Sequence, residues 1–116
     1  MSAILWRLLR NTRRNINEEK EMWKDLYVPG KNGSENGEIL RDEEYKNACR
    51  ITLEKCPKYY AITCGVYGAM VHTAFADDSH YQESYDSMKN DLQGFIDKDT
   101  TYEEELAFYE EFTTKY

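Results

Sequence analysis

Apolar and polar residues alternate through the middle of the chain, from Tyr59 to Ala76. A period of two is typical of a strand with one buried face. The segment Gly65 to Gly68 supplies a reversal, and we assume a loop of two or four residues there. We therefore predict a β-hairpin. Its apolar face is predicted to carry Tyr60, Ile62, Cys64 and Val66 together with Ala69, Val71, Thr73 and Phe75. Its other face is predicted to carry Tyr59, Ala61, Thr63, Met70, His72 and Ala74.

Residues 40–57 fit two patterns. A helix would align Tyr45, Cys49, Leu53 and Cys56, whereas a strand would alternate Cys49, Ile51 and Leu53 with polar neighbours. The β-branched pair Ile51-Thr52 and the short step into the hairpin favour a strand at about 47–55. The sheet is then predicted to be a three-stranded antiparallel meander.

Helical periodicity dominates both ends of the chain. Apolar residues near the N-terminus predict two helices, at about 3–13 and 16–27, and the polar, turn-rich residues 29–38 predict a loop. Ser79 with Gln82 resembles a capping box that opens a helix of about 79–97. A second helix is predicted to start near Thr100 and Glu103. Its buried stripe is predicted to be Leu106, Tyr109 and Phe112, with Glu103, Glu104, Glu105, Glu110 and Glu111 exposed.

These elements predict one α+β domain spanning residues 1–116, in the order ααβββαα. N-terminal helices at 3–27 and the loop at 29–38 precede a sheet of about 47–76, and C-terminal helices occupy 79–116. The helices are expected to cover one face of the small sheet. A length of 116 residues is sufficient to bury such a core without metals or disulfides.

Charge is distributed unevenly. Residues 1–16 contain four arginines and no acid, whereas residues 77–116 contain twelve acids against three lysines, a formal charge of −9. An acidic region this dense would repel phosphate, so we expect no direct contact with nucleic acid. It favours either solubility or a basic protein partner.

Three cysteines, an odd number without paired spacing, indicate reduced thiols and a cytoplasmic protein. Arg7 interrupts the N-terminal apolar run, which is too short for a signal peptide or membrane span. We expect no membrane association. The apolar residues between Ile4 and Leu9 offer a contact for a homodimer.

Catalytic and metal sites are not expected. Cys64 and His72 fall on opposite faces of the predicted hairpin, so they cannot form a nucleophile–base pair. His72, Asp77, Asp78 and His80 contain metal-binding groups, but the two aspartates also suit the start of a helix. We predict no metal and no cofactor. A small-molecule pocket on the mixed face of the hairpin, lined by Thr63, Tyr67 and His72, is an alternative.

The strongest candidate surface is acidic. Carboxylates at helical spacing can imitate a nucleic-acid backbone and occupy a basic groove on an enzyme that handles DNA or RNA. Interspersed tyrosines would add contact area. The predicted partner-binding residues are Tyr85, Asp97, Asp99, Tyr102, Glu103, Glu104, Glu110 and Glu111.

The stretch RITLEKCPKYYAITCGVYGAMVHTAFADD, Arg50 to Asp78, resembles uncharacterised small proteins encoded on mobile elements of Gram-positive gut bacteria. The resemblance covers about residues 40–97 and implies no particular fold, ligand or functional residue. Such elements often encode small acidic inhibitors, including anti-CRISPR proteins, restriction inhibitors, antitoxins and immunity proteins. We therefore predict a non-enzymatic inhibitor of a nucleic-acid-processing enzyme, of the anti-CRISPR or another anti-defence type. An antitoxin or immunity protein, and a small enzyme or ligand-binding domain, are the alternatives.

Overall fold

The computed structural model describes residues 23–116. They form a five-stranded antiparallel sheet followed by two helices, with the strands in sequential order. The strands are β1 (Lys24–Asp25), β2 (Glu38–Tyr45), β3 (Cys49–Lys55), β4 (Tyr60–Val66) and β5 (Met70–Ala76). The helices are α1 (Tyr81–Asp97) and α2 (Tyr102–Lys115).

The predicted order ααβββαα is wrong, although the α+β class and the two C-terminal helices are confirmed. The three predicted strands exist as β3, β4 and β5, but β1 and β2 extend the sheet to five. Residues 24–25 form a strand where the helix 16–27 was predicted. The predicted helix 3–13, the start of the second helix and the dimer contact between Ile4 and Leu9 lie outside the described residues.

Strand β2 has an unpromising sequence, EILRDEEY, because aspartate and glutamate are depleted in strands. Its neighbours compensate. Asp42 lies opposite Thr52 and accepts hydrogen bonds from Arg50, and Glu43 accepts one from Lys89. A register shift near Leu40 further breaks the alternation that would have revealed the strand. Tertiary pairing therefore overrides local propensity here.

The register of the β4–β5 hairpin differs from the predicted one. Val66 pairs with Met70 and Cys64 pairs with His72, so the loop contains three residues. Gly68, at φ 74°, supplies the left-handed backbone conformation of this turn. Because the loop has an odd number of residues, Cys64 and His72 lie on the same face of the sheet. Val71, Thr73 and Phe75 therefore lie on the other face, and not on the apolar face where they were predicted.

The helices pack on one side of the sheet, which we call the helix face. Its buried side chains include Ile51, Leu53, Ile62, Cys64 and Met70. Helix α1 lies over the β2 side, where Tyr85 reaches Glu43. Helix α2 lies over the β5 side, where the rings of Phe112 and His72 have centroids 6.1 Å apart. The side without described helices, which carries Thr52, Glu54, Thr63, Val71, Thr73 and Phe75, is called the opposite face.

The buried stripe of α2 is shifted from the predicted one. Glu105 is buried and accepts a hydrogen bond from the Tyr109 hydroxyl at 2.6 Å, whereas Leu106 is 47% exposed. Phe112 is buried as predicted. Thr101, rather than Thr100, caps the helix and forms a reciprocal capping box with Glu104.

Candidate functional site

The outer side of α2 carries three exposed glutamates: Glu103, Glu110 and Glu111. The helical period places Glu103 and Glu110 two turns apart on one side, about 10 Å along the axis. No ion pair links any of the three to a basic side chain within residues 23–116. Tyr102, 63% exposed, and Leu106 flank them. The result is an acidic surface with apolar contact area, which we call the α2 face and define by these five residues.

Glu104 belongs to the same helix but its carboxylate has a local role. It accepts a hydrogen bond from the Thr101 amide at 3.0 Å, while its own amide donates to the Thr101 hydroxyl. The backbone hydrogen bond from Thr101 lowers the pKa of Glu104 below its ordinary value. Its charge therefore contributes to the field of α2, while its oxygens are engaged in capping.

Of the remaining predicted partner residues, Asp97 and Tyr85 make contacts within the fold, whereas Asp99 is exposed just before α2. Asp97 is exposed but is bound to Lys46 at 2.7 Å, so its charge is already paired. Asp99 lies exposed in the link between α1 and α2. Tyr85 is completely buried in the core and is not available to a partner.

Tyr85 instead organises a network between α1 and β2. Its hydroxyl donates to Glu43 at 2.7 Å, and Lys89 donates to the same carboxylate at 2.8 Å. The Arg41 guanidinium lies 4.1 Å from the centre of the Tyr85 ring. Burial and the hydrogen bond to Glu43 raise the pKa of Tyr85 well above its ordinary value. This residue fixes the helix on the sheet.

Cys64 and His72 are direct cross-strand neighbours on the helix face. This corrects the expectation that they point apart. Burial raises the pKa of the Cys64 thiol to about 12, so the thiolate needed for nucleophilic attack is scarce at neutral pH. His72 packs against Phe112, and its Nε2 is buried without a hydrogen-bond partner among residues 23–116. Cys64 therefore belongs to the core, and the half-buried His72 lies at its border beside Phe112.

The opposite face carries a cavity of about 680 Å³, a size suited to small ligands. Residues 32–34 form one wall and the β4–β5 turn forms the other, with β3 and β4 as the floor. Two of the three predicted pocket residues, Thr63 and Tyr67, line it. The third, His72, is on the helix face because of the hairpin register. Tyr67 also donates its hydroxyl hydrogen bond to Glu44.

Glu54 contributes a buried carboxylate to this cavity, and sequence patterns gave no signal for it. Oε1 accepts hydrogen bonds from the amides of Glu35 at 3.0 Å and Gly37 at 2.9 Å. Oε2 has no hydrogen-bond partner in the described part of the chain. Gly33 covers the carboxylate so closely that a Cβ there would lie 2.3 Å from Oε2. The loop of residues 29–38 is thus attached to the sheet by Glu54.

A second polar cluster borders the cavity. Arg50 donates to both oxygens of the buried Asp42, through Nε at 2.8 Å and through Nη2, and Thr52 donates to Oδ1 at 3.1 Å. The hydrogen bond to Asp42 raises the pKa of Arg50. Because Asp42 already neutralises Arg50, the cavity does not present a free cation to an anionic ligand. The order of the acids and bases along β2 and β3 could have suggested this pair, had β2 been recognised.

The metal-binding groups considered near the end of β5 do not converge. Asp77 accepts hydrogen bonds from the amides of Ser79 and His80 and contacts the His80 ring at 2.8 Å. The hydrogen bond from His80 lowers the pKa of Asp77. His72 faces α2 instead. Within residues 23–116 no three histidine, cysteine or acidic side chains are grouped closely enough to hold a metal ion.

Neither α1 nor α2 has the length and apolar character needed to cross a membrane. No protein-family model matches the sequence, and no curated protein or solved structure shows significant similarity to it. Functional inference for this chain therefore rests on its own surface.

Proposed function

We propose that this protein is a small acidic binding protein whose α2 face occupies a basic surface on another protein. The observation that carries the proposal is the set of exposed glutamates Glu103, Glu110 and Glu111, which have no ion-pair partner within residues 23–116. Exposed Tyr102 and Leu106 beside them provide apolar contact area. Aromatic anchors surrounded by charge are common at protein interfaces.

The contrast with other acids of the fold supports this assignment. Asp42, Glu43 and Asp97 are each bound to an arginine or lysine inside the fold. Their charges are therefore largely compensated, whereas the outer side of α2 projects its charge into solvent. Such a field accelerates encounter with a basic partner and repels phosphate.

The partner class that we propose is an enzyme that handles nucleic acid. Its substrate groove must be basic, and a helix with glutamates on one side can occupy that groove in place of the substrate. We propose that this mode of binding inhibits the enzyme, as an inhibitor of the anti-CRISPR or another anti-defence type. An antitoxin or immunity protein would use the same acidic surface against a basic toxin.

The test is affinity capture from a Gram-positive bacterial lysate, followed by kinetics with the purified partner. The α2 variant combines Glu103→Lys, Glu110→Lys and Glu111→Lys. It is expected to slow association at least about tenfold at low salt, with a smaller difference at high salt.

A matched control reverses three exposed acids elsewhere, Glu35, Glu38 and Glu83, and so has the same net charge. If the two variants bind alike, only net charge matters and the α2 face is not the interface. If captured partners are neither basic nor associated with nucleic acid, the proposed partner class is wrong.

A second candidate function is ligand binding in the cavity of the opposite face. The cavity volume and the positions of Thr63 and Tyr67 favour it. We expect a bound metabolite to shift the amide resonances of Thr63 and Gly65 in NMR spectra. A Thr63→Arg variant, which would fill the floor, should abolish those shifts. Persistence of the shifts in this variant would assign binding to another place.

A further inference from the structure

The two edges of the sheet are built differently. Strand β1, at one edge, consists of two residues, Lys24 and Asp25, which are both charged and exposed. Short length and charge are the usual means by which proteins protect a sheet edge from further pairing. Strand β5, at the other edge, has seven residues, pairs only with β4 among the described strands, and contains no acid, lysine, arginine or proline. The β5 edge therefore lacks the protection that the β1 edge has.

Two apolar side chains of β5 are exposed on the opposite face. Val71 is 81% exposed and Phe75 is 61% exposed, and the Phe75 ring makes an edge contact with Tyr59. Thr73 lies between them, and its hydroxyl is hydrogen-bonded to that of Thr63 at 3.2 Å. A long, apolar and unprotected edge strand is a template for another strand.

We propose that two copies of this chain pair through β5, antiparallel and about a two-fold axis at Thr73, so that their sheets become one continuous sheet. Antiparallel pairing that uses the whole of β5 has one register. The first residue of the strand, Met70, lies opposite the last, Ala76, of the second copy, and the middle residue, Thr73, lies opposite itself. The inference goes beyond the proposed function, because it concerns a different surface and a different partner.

The side chains on the opposite face are self-complementary in this register. Val71 of each copy lies opposite Phe75 of the other, and the two Thr73 side chains lie opposite each other. Pairs of an aromatic with a β-branched residue, and pairs of threonines, are among the favourable cross-strand pairs. Pairing therefore places the most exposed apolar side chains of the edge against each other.

The side chains on the helix face are self-complementary as well. Met70 lies opposite Ala76, and His72 lies opposite Ala74, so each larger side chain meets an alanine. His72 is the one ionisable side chain in β5, and the register places it opposite Ala74 rather than opposite its own copy. The pairing therefore brings no like charges directly opposite each other, which would be unfavourable in a sheet. These features favour a second copy as the occupant of this edge.

The glutamates of the α2 face do not point toward the proposed contact. Phe112 packs against His72 and so marks the side of α2 that faces β5. At 3.6 residues per turn, Glu103 and Glu110 lie about 180° and 200° around the helix from Phe112, which directs them away from the sheet. What opposes pairing is the net charge of −7 on each copy, and salt screens this repulsion.

Sedimentation equilibrium of the full chain measures the dimer and its dissociation constant. Val71→Lys places a charge on the edge and is expected to weaken the dimer at least about tenfold. Val28→Lys is the matched control, because it makes the same change at an exposed valine outside the strands and is expected to leave the dimer intact. Added salt is expected to strengthen the dimer, whereas it should weaken binding of a basic partner to the α2 face. Circular dichroism establishes that both variants are folded.

The register is tested with single cysteine substitutions on β5 under mild oxidation. Paired Cα atoms in an antiparallel sheet are about 4.5–5.5 Å apart, which is within the range of about 4.4–6.8 Å that a disulfide spans. Thr73→Cys is therefore expected to give a disulfide-linked dimer. Val71→Cys, on the same face, is expected to remain unlinked, because the two copies of this position lie about 13 Å apart along the strands. The native cysteines are buried and should not compete.

Each contrary outcome overturns a defined statement. A chain that stays monomeric at all concentrations refutes the inference. A dimer that Val71→Lys and Val28→Lys affect equally also refutes it, because the contact then lies on another surface. Linking of Val71→Cys as readily as Thr73→Cys refutes the axis at Thr73, and a dimer weakened by salt contradicts an uncharged contact. None of these outcomes bears on the proposed function, since the α2 glutamates take no part in the pairing.

Discussion

Replacing Gly33 with alanine tests how the loop of residues 29–38 is held on the sheet. A Cβ at this position would lie 2.3 Å from Oε2 and 2.5 Å from Cδ of Glu54. These separations are well below contact distance, so either the loop or the carboxylate must move. The carboxylate cannot move freely because its Oε1 accepts hydrogen bonds from the amides of Glu35 and Gly37. We therefore expect Gly33→Ala to break at least one of these bonds.

The cost follows from the environment of the two amides. A hydrogen bond to a charged group contributes about 1.5–3 kcal/mol, and a buried amide left without a partner costs about 1–3 kcal/mol. Gly37 is buried, whereas Glu35 is exposed and its amide can bond to water instead. The expected destabilisation is about 2–4 kcal/mol, which corresponds to a fall in Tm of about 10–15 °C for a domain of this size.

Urea denaturation monitored by circular dichroism measures the change, with Gly94→Ala as the matched control. Gly94 lies in α1 with nothing within 4 Å of the added methyl, so alanine there should stabilise the helix by about 0.5–1 kcal/mol. In a Glu54→Ala background, Gly33→Ala should become nearly neutral because the obstructing carboxylate is gone. Additive effects of the two substitutions, or an unchanged stability of Gly33→Ala, would refute this account of the loop.

Three further outcomes follow from the core and the helix ends. Burial raises the pKa of Cys64 to about 12, so its thiol should react with Ellman's reagent only after denaturation. Burial raises the pKa of Glu43, but hydrogen bonds from Lys89 and Tyr85 outweigh it and hold the pKa below 4.5. The stability that Glu43 contributes is thus complete above pH 4.5 and is lost as pH falls through the lower folded-state pKa, and Glu43→Gln should flatten that part of an acid titration. Thr101→Ala removes the cap of α2 and should cost about 1 kcal/mol in thermal denaturation.

Hydrophobic periodicity predicted the strands and helices in which buried residues recur at regular spacing. The alternation through Ile51 and Ile62 predicted β3 and β4, and the helical periodicity near the C-terminus predicted α1, whose Tyr85, Met88 and Leu92 are buried. In these segments the apolar face of the sequence is the buried face of the fold, so pattern and packing agree. The C-terminal helices were located to within a few residues for this reason.

Hydrophobic periodicity did not predict β2, a strand in which a polar side chain is buried. β2 buries Asp42 because Arg50 and Thr52 on β3 bind its carboxylate, and a local window cannot show a partner eight or ten residues away. The three-residue turn after Val66 inverted the predicted faces of β5, because register depends on loop parity. That inversion moved His72 out of the candidate pocket and exposed Phe75 at the sheet edge. The pocket residues on β4 were unaffected, since their faces do not depend on this turn.

How much of the negative charge can act on a partner depends on how many carboxylates are already bound to groups within the fold. A net charge of −7 describes the whole sequence, but Asp42, Glu43 and Glu54 are held by bonds within the sheet and its neighbours. Their carboxylates stabilise β2, α1 and the loop of residues 29–38, so they contribute little to an external field. The charge that we propose is offered to a partner is instead that of Glu103, Glu110 and Glu111 on the α2 face, which are exposed and have no ion-pair partner within residues 23–116.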